Sequence, residues 1–187
     1  SRVYKSTAKS IFHLKFCQIR WTQNADVGNR ALKIFDDVCK FVKTAKLPKL
    51  TSVDVIKAAA ADPLSKVKLA TFVSIANSLE GFLTAYQTPQ PMAPFMYGDI
   101  TDLVKSLVQR FVKANVLETA NSTAKLLKID LDDTNNLLPR QKVILGVAAQ
   151  SMLLKSKASD LQKMEVQTGC RQFLVSTSYC LLAVAHL

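Results

Sequence analysis

The sequence predicts an all-α fold: an irregular bundle of five to seven helices, with at most one short strand near the start. Three observations lead there. Apolar residues recur at three- and four-residue intervals through most of the chain. Helix-opening and helix-stopping residues separate those runs. Only 5 Gly and 6 Pro occur in 187 residues that are 49% hydrophobic and 21% charged. That balance suits one packed domain and excludes low-complexity or collagen-like chain.

Phe12, Leu14 and Phe16 alternate with His13, Lys15 and Cys17, the pattern of a short strand. A lone strand builds no sheet, so its partners would lie outside this chain. Leu32, Phe35, Val38, Cys39 and Val42 put one apolar stripe on a helix over about 25–46, closed by Pro48. Thr51 with Asp54 has the spacing of a capping box for a helix over about 52–61. Asp62-Pro63 then supplies an N-cap and a first helical residue. The third helix, about 63–87, carries Phe72, Ile75, Leu79, Phe82, Leu83 and Tyr86. Its Gly81 either weakens it or permits a close helix crossing.

Pro89, Pro91 and Pro94 forbid helix or central strand through 88–95. Asp99 or Thr101 is placed to cap a helix over about 100–115. Residues 116–140 are ambiguous: Leu126–Leu131 reads as a short extended piece and Asp132–Asn136 as a turn. Val143–Leu154, after Pro139, suggests a helix interrupted or kinked at Gly146. Ser159 with Gln162 opens a last helix through Leu161, Met164, Phe173 and Leu174.

Charge narrows the partners. The chain carries +11, of which +8 lies in residues 1–50, where 11 Lys/Arg face three acids. A basic quarter on a near-neutral body fits a polyanion such as DNA, and also an ordinary solvated surface. No secretory signal is visible in the polar opening, and four scattered cysteines suit a reducing, intracellular setting, nuclear or cytoplasmic. The last 16 residues, Gln172–Leu187, hold no charged side chain. They fall short of the ~20 apolar residues a spanning helix needs. A buried helix end, or one that faces a protein partner or a second copy, is expected instead of a membrane anchor.

Chemistry finds little support. His13 and His186 sit near the two ends, and no G-x-S-x-G elbow is present. His13 and Cys17 are four apart, but Cys39, Cys170 and Cys180 show no C-x-x-C spacing. All five glycines are isolated, so no phosphate loop exists. Asp130, Asp132 and Asp133 look like a solvated turn rather than a two-metal site. No enzyme, metal or cofactor is expected. The stretch Cys17-Gln18-Ile19-Arg20-Trp21 is more informative. It sets the only tryptophan beside a cation inside the basic quarter, where an aromatic plate can stack a base while Arg and Lys hold phosphates. The competing reading makes Trp21 a core anchor and Arg20 a surface partner of Asp26.

Cys17-x-x-Arg20-Trp21 ahead of an amphipathic helix resembles the C-x-T-R-W segment of hAT-superfamily DNA transposases and their domesticated descendants. Asp62-Pro63-Leu64, Tyr86-Gln87-Thr88, Pro91-Met92-x-Pro94-Phe95-x-Tyr97, Ser122–Leu126, Lys128-Ile129-Asp130 and Asn136–Pro139 extend the resemblance over about residues 14–175. Ile19 departs from the polar residue usual before Arg. The resemblance implies an RNase H-like catalytic domain interrupted by an all-helical insertion that begins near R-W and helps hold the transposon end. Residues 1–24 would then close the leading half of the RNase H-like region, and 25–187 would be the insertion domain. The family's tryptophan stabilises a flipped base, a role that falls on Trp21, with Arg20 as a structural or phosphate partner.

The same resemblance implies no catalysis. The family uses two strand-borne Asp before the insertion and a Glu after it, yet the first 20 residues hold no acid, and neither Glu118 nor Glu165 lies in a matching motif. The chain therefore resembles a fragment without the family's zinc finger and dimerisation segment. The expected function is a catalytically inactive DNA-associated module, with Lys15, Arg20, Trp21, Arg30 and Lys33 as the nucleic-acid-binding candidates. The alternative is a helical protein-interaction scaffold without DNA binding.

Overall fold

A computed structural model describes residues 21–87, 89, 91–120 and 122–184, the side chains of residues 21–23, 93, 123 and 184 excepted. Among them are eight α-helices and no strand. Six helices have nine residues or more: α1 (Trp21–Thr44), α2 (Thr51–Ala61), α3 (Ser65–Ala85), α4 (Ala93–Val108), α7 (Val147–Lys155) and α8 (Asp160–Val184). The short α5 (Ala114–Thr119) and α6 (Thr123–Leu126) lie between α4 and α7. The all-α bundle read from periodicity is the fold. The strand expected at Phe12–Phe16 lies outside the described residues.

Helix α3 is the central rod, with α1, α4, α7 and α8 packed around it. Val67, Ala70, Ile75 and Leu79 of α3 are buried together with Leu103, Val104, Leu107 and Val108 of α4 and Val166, Cys170 and Leu174 of α8. Phe111, fully enclosed, continues that core beyond the end of α4. Helix α8 buries Leu174, Ser178 and Leu182 and exposes Phe173, Tyr179 and Cys180. Among its described residues the uncharged C-terminal run therefore buries one stripe in the chain's own core and leaves the rest of its circumference half-buried or exposed. Among the described residues no helix is long and apolar enough to cross a membrane.

Several boundaries differ from the sequence reading, each for a local reason. Helix α1, expected over about 25–46, is described from Trp21 to Thr44. At α2 no capping box forms: Thr51 is already helical, and the Leu50 carbonyl accepts the N–H bonds of Val53 and Asp54. Asp62 Oδ1 accepts the Leu64 N–H at 2.8 Å and so caps a turn ahead of α3, but the N-cap of α3 is Leu64, and Pro63 lies in that turn rather than at the first helical position. Helix α4 starts seven residues before the expected residue 100, with Pro94 in its first turn, where a missing N–H costs nothing. Asp99 and Thr101 are mid-helix rather than caps. At the other end α4 stops at Val108, short of 115, because the chain turns to seat Phe111.

Residues 109–146 form a pinned excursion. Leu138 N–H donates to the Phe111 carbonyl (2.7 Å), Lys113 N–H to Asn136 O (2.9 Å) and Ile144 N–H to Arg110 O (2.8 Å). Leu126 closes one helical turn instead of opening an extended piece. The Asp132–Asn136 turn is present: Asp130 Oδ1 accepts the N–H groups of Asp132 and Asp133, and Asp133 Oδ1 that of Asn135. Gly146 precedes α7 rather than kinking it, at a φ of 103°. Ser159 and Gln162 exchange hydrogen bonds, Ser159 N–H to Gln162 Oε1 at 3.0 Å and Gln162 N–H to Ser159 Oγ at 3.3 Å. That is the expected capping box.

Candidate nucleic-acid interface

Of the five residues the sequence singles out, Lys15 and Arg20 lie outside the described residues. Trp21 is the first residue of α1, and its side chain lies outside the description. Arg30 and Lys33 are brought onto one face of α1, since residues three apart on a helix are neighbours. They do not stand on a uniformly basic surface. Asp26, Arg30, Lys33, Asp37 and Lys40 recur at four- and three-residue steps, so three cations share the row with two carboxylates. Lys40 Nζ lies 3.8 Å from Asp37, and the neighbouring Asp36 is bound by Lys66 of α3 at 2.6 Å.

The orientation of that face follows from how α1 seats on α3. Gly28 is buried against Val73 and Phe72, so the two backbones approach closely there. Asn29 Nδ2 donates to Asn77 Oδ1 at 3.2 Å, and the Lys66–Asp36 pair fixes the other end. These contacts run the two helices antiparallel and turn the charged row outward.

The stronger basic feature was not among the sequence candidates. Lys40, Lys43, Lys46 and Lys49 follow one another at three-residue steps across the end of α1 and the linker to α2, and all four are exposed. Lys57 of α2, also exposed, adds a fifth. Asp54 is the only acid between residues 38 and 61. Lys43 sits in the last turn of α1, where a cation suits the negative end of the helix dipole. The signal was legible in the spacing itself.

A groove of about 680 Å³ runs between α3 and α8, with Leu64, Phe72, Val166 and Phe173 along it and the Lys68–Asp62 pair at one end. Cys170 opens onto it, but burial pushes the thiol's pKa up against the opposing effects of Thr71 and Lys68, so it is a poor nucleophile near neutrality. His13 and His186 lie outside the described residues, and no cluster of three or more His, Cys, Asp or Glu among the described ones is placed to hold a metal ion. Arg110 is half-buried and donates to Ser74 Oγ (3.2 Å) and Ser78 Oγ (3.0 Å) of α3, and burial lowers its pKa. It ties the end of α4 to the central rod.

No family profile, curated protein or solved structure matches the chain.

Proposed function

We propose that this chain is a catalytically inactive, transposase-derived helical module, similar to the hAT insertion domain, which associates with DNA through its basic N-terminal quarter. The observation that carries the reading is the exposed ladder Lys40, Lys43, Lys46 and Lys49. In sequence a second basic stretch, the acid-free opening segment with Arg2, Lys5, Lys9, Lys15 and Arg20, precedes α1, while the ladder lies at the other end of that helix. Cations at three-residue steps, of which Lys40 alone is paired with a carboxylate (Asp37), suit phosphates, which fix position without reading sequence. Arg30 and Lys33 contribute at the margin, because Asp26 and Asp37 share their face. Trp21 stacks an unpaired base, and Arg20 holds the adjoining phosphate.

A salt titration of DNA binding tests this. Each phosphate neutralised adds about 0.9 to the slope of log K against log salt. Replacing Lys43, Lys46 and Lys49 together by Ala should flatten that slope by roughly one unit per lysine. Absence of binding at ~50 mM salt ends the reading. Trp21→Ala should weaken binding to hairpin or unpaired DNA more than to plain duplex, and equal losses would leave Trp21 as a core residue only.

A further inference from the structure

Among the described residues, exposed apolar side chains collect at opposite ends of α3, beside lysines at one end and carboxylates at the other. At its N-terminal end, the corner of α1 and α2 exposes Phe41 (45%), Leu50 (55%), Val55 (65%) and Ile56 (45%). Residues 38–61 hold five lysines and one acid. Helix α2 itself has no buried residue, although Asp54 and Lys57 are its only charges. A helix that is apolar around most of its circumference is normally covered. Eleven residues are also too few for a helix to be stable in water alone.

At the C-terminal end of α3, Tyr86 donates a hydrogen bond to Asp99 of α4 at 2.8 Å and so brings the start of α4 there. That start exposes Phe95 (61%), Met96 (42%) and Tyr97 (60%). Phe95, Asp99 and Asp102 fall at i, i+4 and i+7, on one exposed face. Residues 69–104 contain three acids and no Lys or Arg. The two ends are separated by the 21 residues of α3, about 30 Å at 1.5 Å per residue.

We propose that this protein self-associates head to tail: the acidic, aromatic start of α4 in one copy docks on the lysine-rimmed α1–α2 corner of the next. Charge selects this occupant. A two-fold pairing of either patch with itself sets like charges together, whereas the heterologous pairing sets Asp99 and Asp102 against the lysine ladder. A flat anionic lipid surface fits less well, because Asp54 stands inside the apolar corner. Heterologous contacts that do not close propagate into open chains. The inference does not rest on the DNA reading. Both use the same lysines, so DNA and a second copy would compete for them.

The test uses the whole chain, nuclease-treated and washed at high salt, with mass followed by sedimentation and light scattering. Weight-average mass should climb with concentration past twice the 20.6 kDa of one chain. It should fall back as salt rises from ~0.05 to ~0.5 M, where screening shortens to a few ångströms. Two variants block one end each: Phe95→Ser with Asp102→Asn, and Val55→Asp with Lys46→Glu. All four sites are exposed, and unchanged melting temperatures verify folding. Each variant alone should remain monomeric, and an equimolar mixture should stop at two copies because one joint is restored. Three results overturn the proposal: a parent chain monomeric at every concentration, a parent that stops at a two-fold dimer, or blocked variants that assemble like the parent. The parent series decides the matter even if a variant misfolds.

Discussion

Gly28 of α1 meets Val73 of α3 with no room for a side chain: a Cβ on Gly28 would lie 2.9 Å from Val73 Cγ2 and 3.2 Å from the Phe72 ring. Gly81, one of the other helical glycines, has no atom beyond its chain neighbours and its own helix backbone within 4 Å of where its Cβ would be. The pair makes a clean contrast in thermal unfolding. Alanine in place of glycine favours a helix by about 1 kcal/mol, while overpacking a seam costs roughly 1–3 kcal/mol. Gly28→Ala should therefore lower stability, because a β-branched neighbour cannot swing aside. Gly81→Ala should raise it by roughly 0.5–1 kcal/mol. Equal effects at the two positions would show that α1 does not seat on α3 in this register.

Gly146 should tolerate no side chain. Its φ of 103° is one that L residues rarely adopt, and an added Cβ would strike the Ser74 side chain, with Ser74 Cβ at 2.7 Å. Gly146→Ala should cost at least about 1–3 kcal/mol in denaturant unfolding. Ser74→Ala should not rescue it, since the clashing Cβ remains and the backbone strain is untouched.

Asp62 should make stability acid-sensitive. Burial alone would raise its pKa, but hydrogen bonds from Lys68 and the Leu64 N–H, the Lys68 charge and the Ser65 hydroxyl together hold it below the usual 3.8. A carboxylate with a lowered folded pKa contributes stability that is present above its unfolded pKa and lost as pH falls through the folded value. Unfolding free energy should thus drop below about pH 4, and the drop should be smaller in Asp62→Asn. At neutral pH, Asp62→Ala should cost about 0.5–2 kcal/mol through the lost cap.

Tyr86 should ionise late. Desolvation, then the hydrogen bond to Asp99 and that residue's charge, push its pKa up to about 12. Ultraviolet titration should show Tyr86 ionising late, with Tyr179 also held up by burial and Asp132, and Asp99→Asn should bring Tyr86 only part of the way back toward 10, since desolvation remains. Because the folded pKa is the higher one, the contribution to stability is complete below pH ~10 and is lost as pH rises through the folded value.

Ser178 should be replaceable at a profit in stability. It is fully buried in α8, and its hydroxyl has no hydrogen-bond partner among the described residues. Leaving such a group unmet costs about 1–3 kcal/mol. Ser178→Ala should raise the melting temperature, and a fall would mean that the hydroxyl is satisfied in solution.

The long helices were legible because burial imposes a 3.6-residue rhythm on composition, and α1, α3 and α8 each carry it over more than five turns. The start of α4 was hidden by Pro94, since a proline that opens a helix and one that forbids it look alike in one dimension. The excursion at 109–146 was ambiguous for a related reason: Lys113–Asn136 and Phe111–Leu138 pair across more than twenty residues, and no local pattern announces them. The lysine ladder was open to inspection, yet only the exposure of Lys43, Lys46 and Lys49 turns a spacing into a surface.

By itself the sequence determined the helical class, the places of the main rods, the Asp62 and Ser159 caps and the concentration of positive charge in the first quarter, all of which depend on residues near one another along the chain. The tertiary structure alone decided which glycine lies in a helix seam, which lysines remain exposed and which apolar side chains stay uncovered. Those depend on distances between residues far apart in sequence, and a pattern along one helix records which side is apolar without recording what, if anything, comes to cover it.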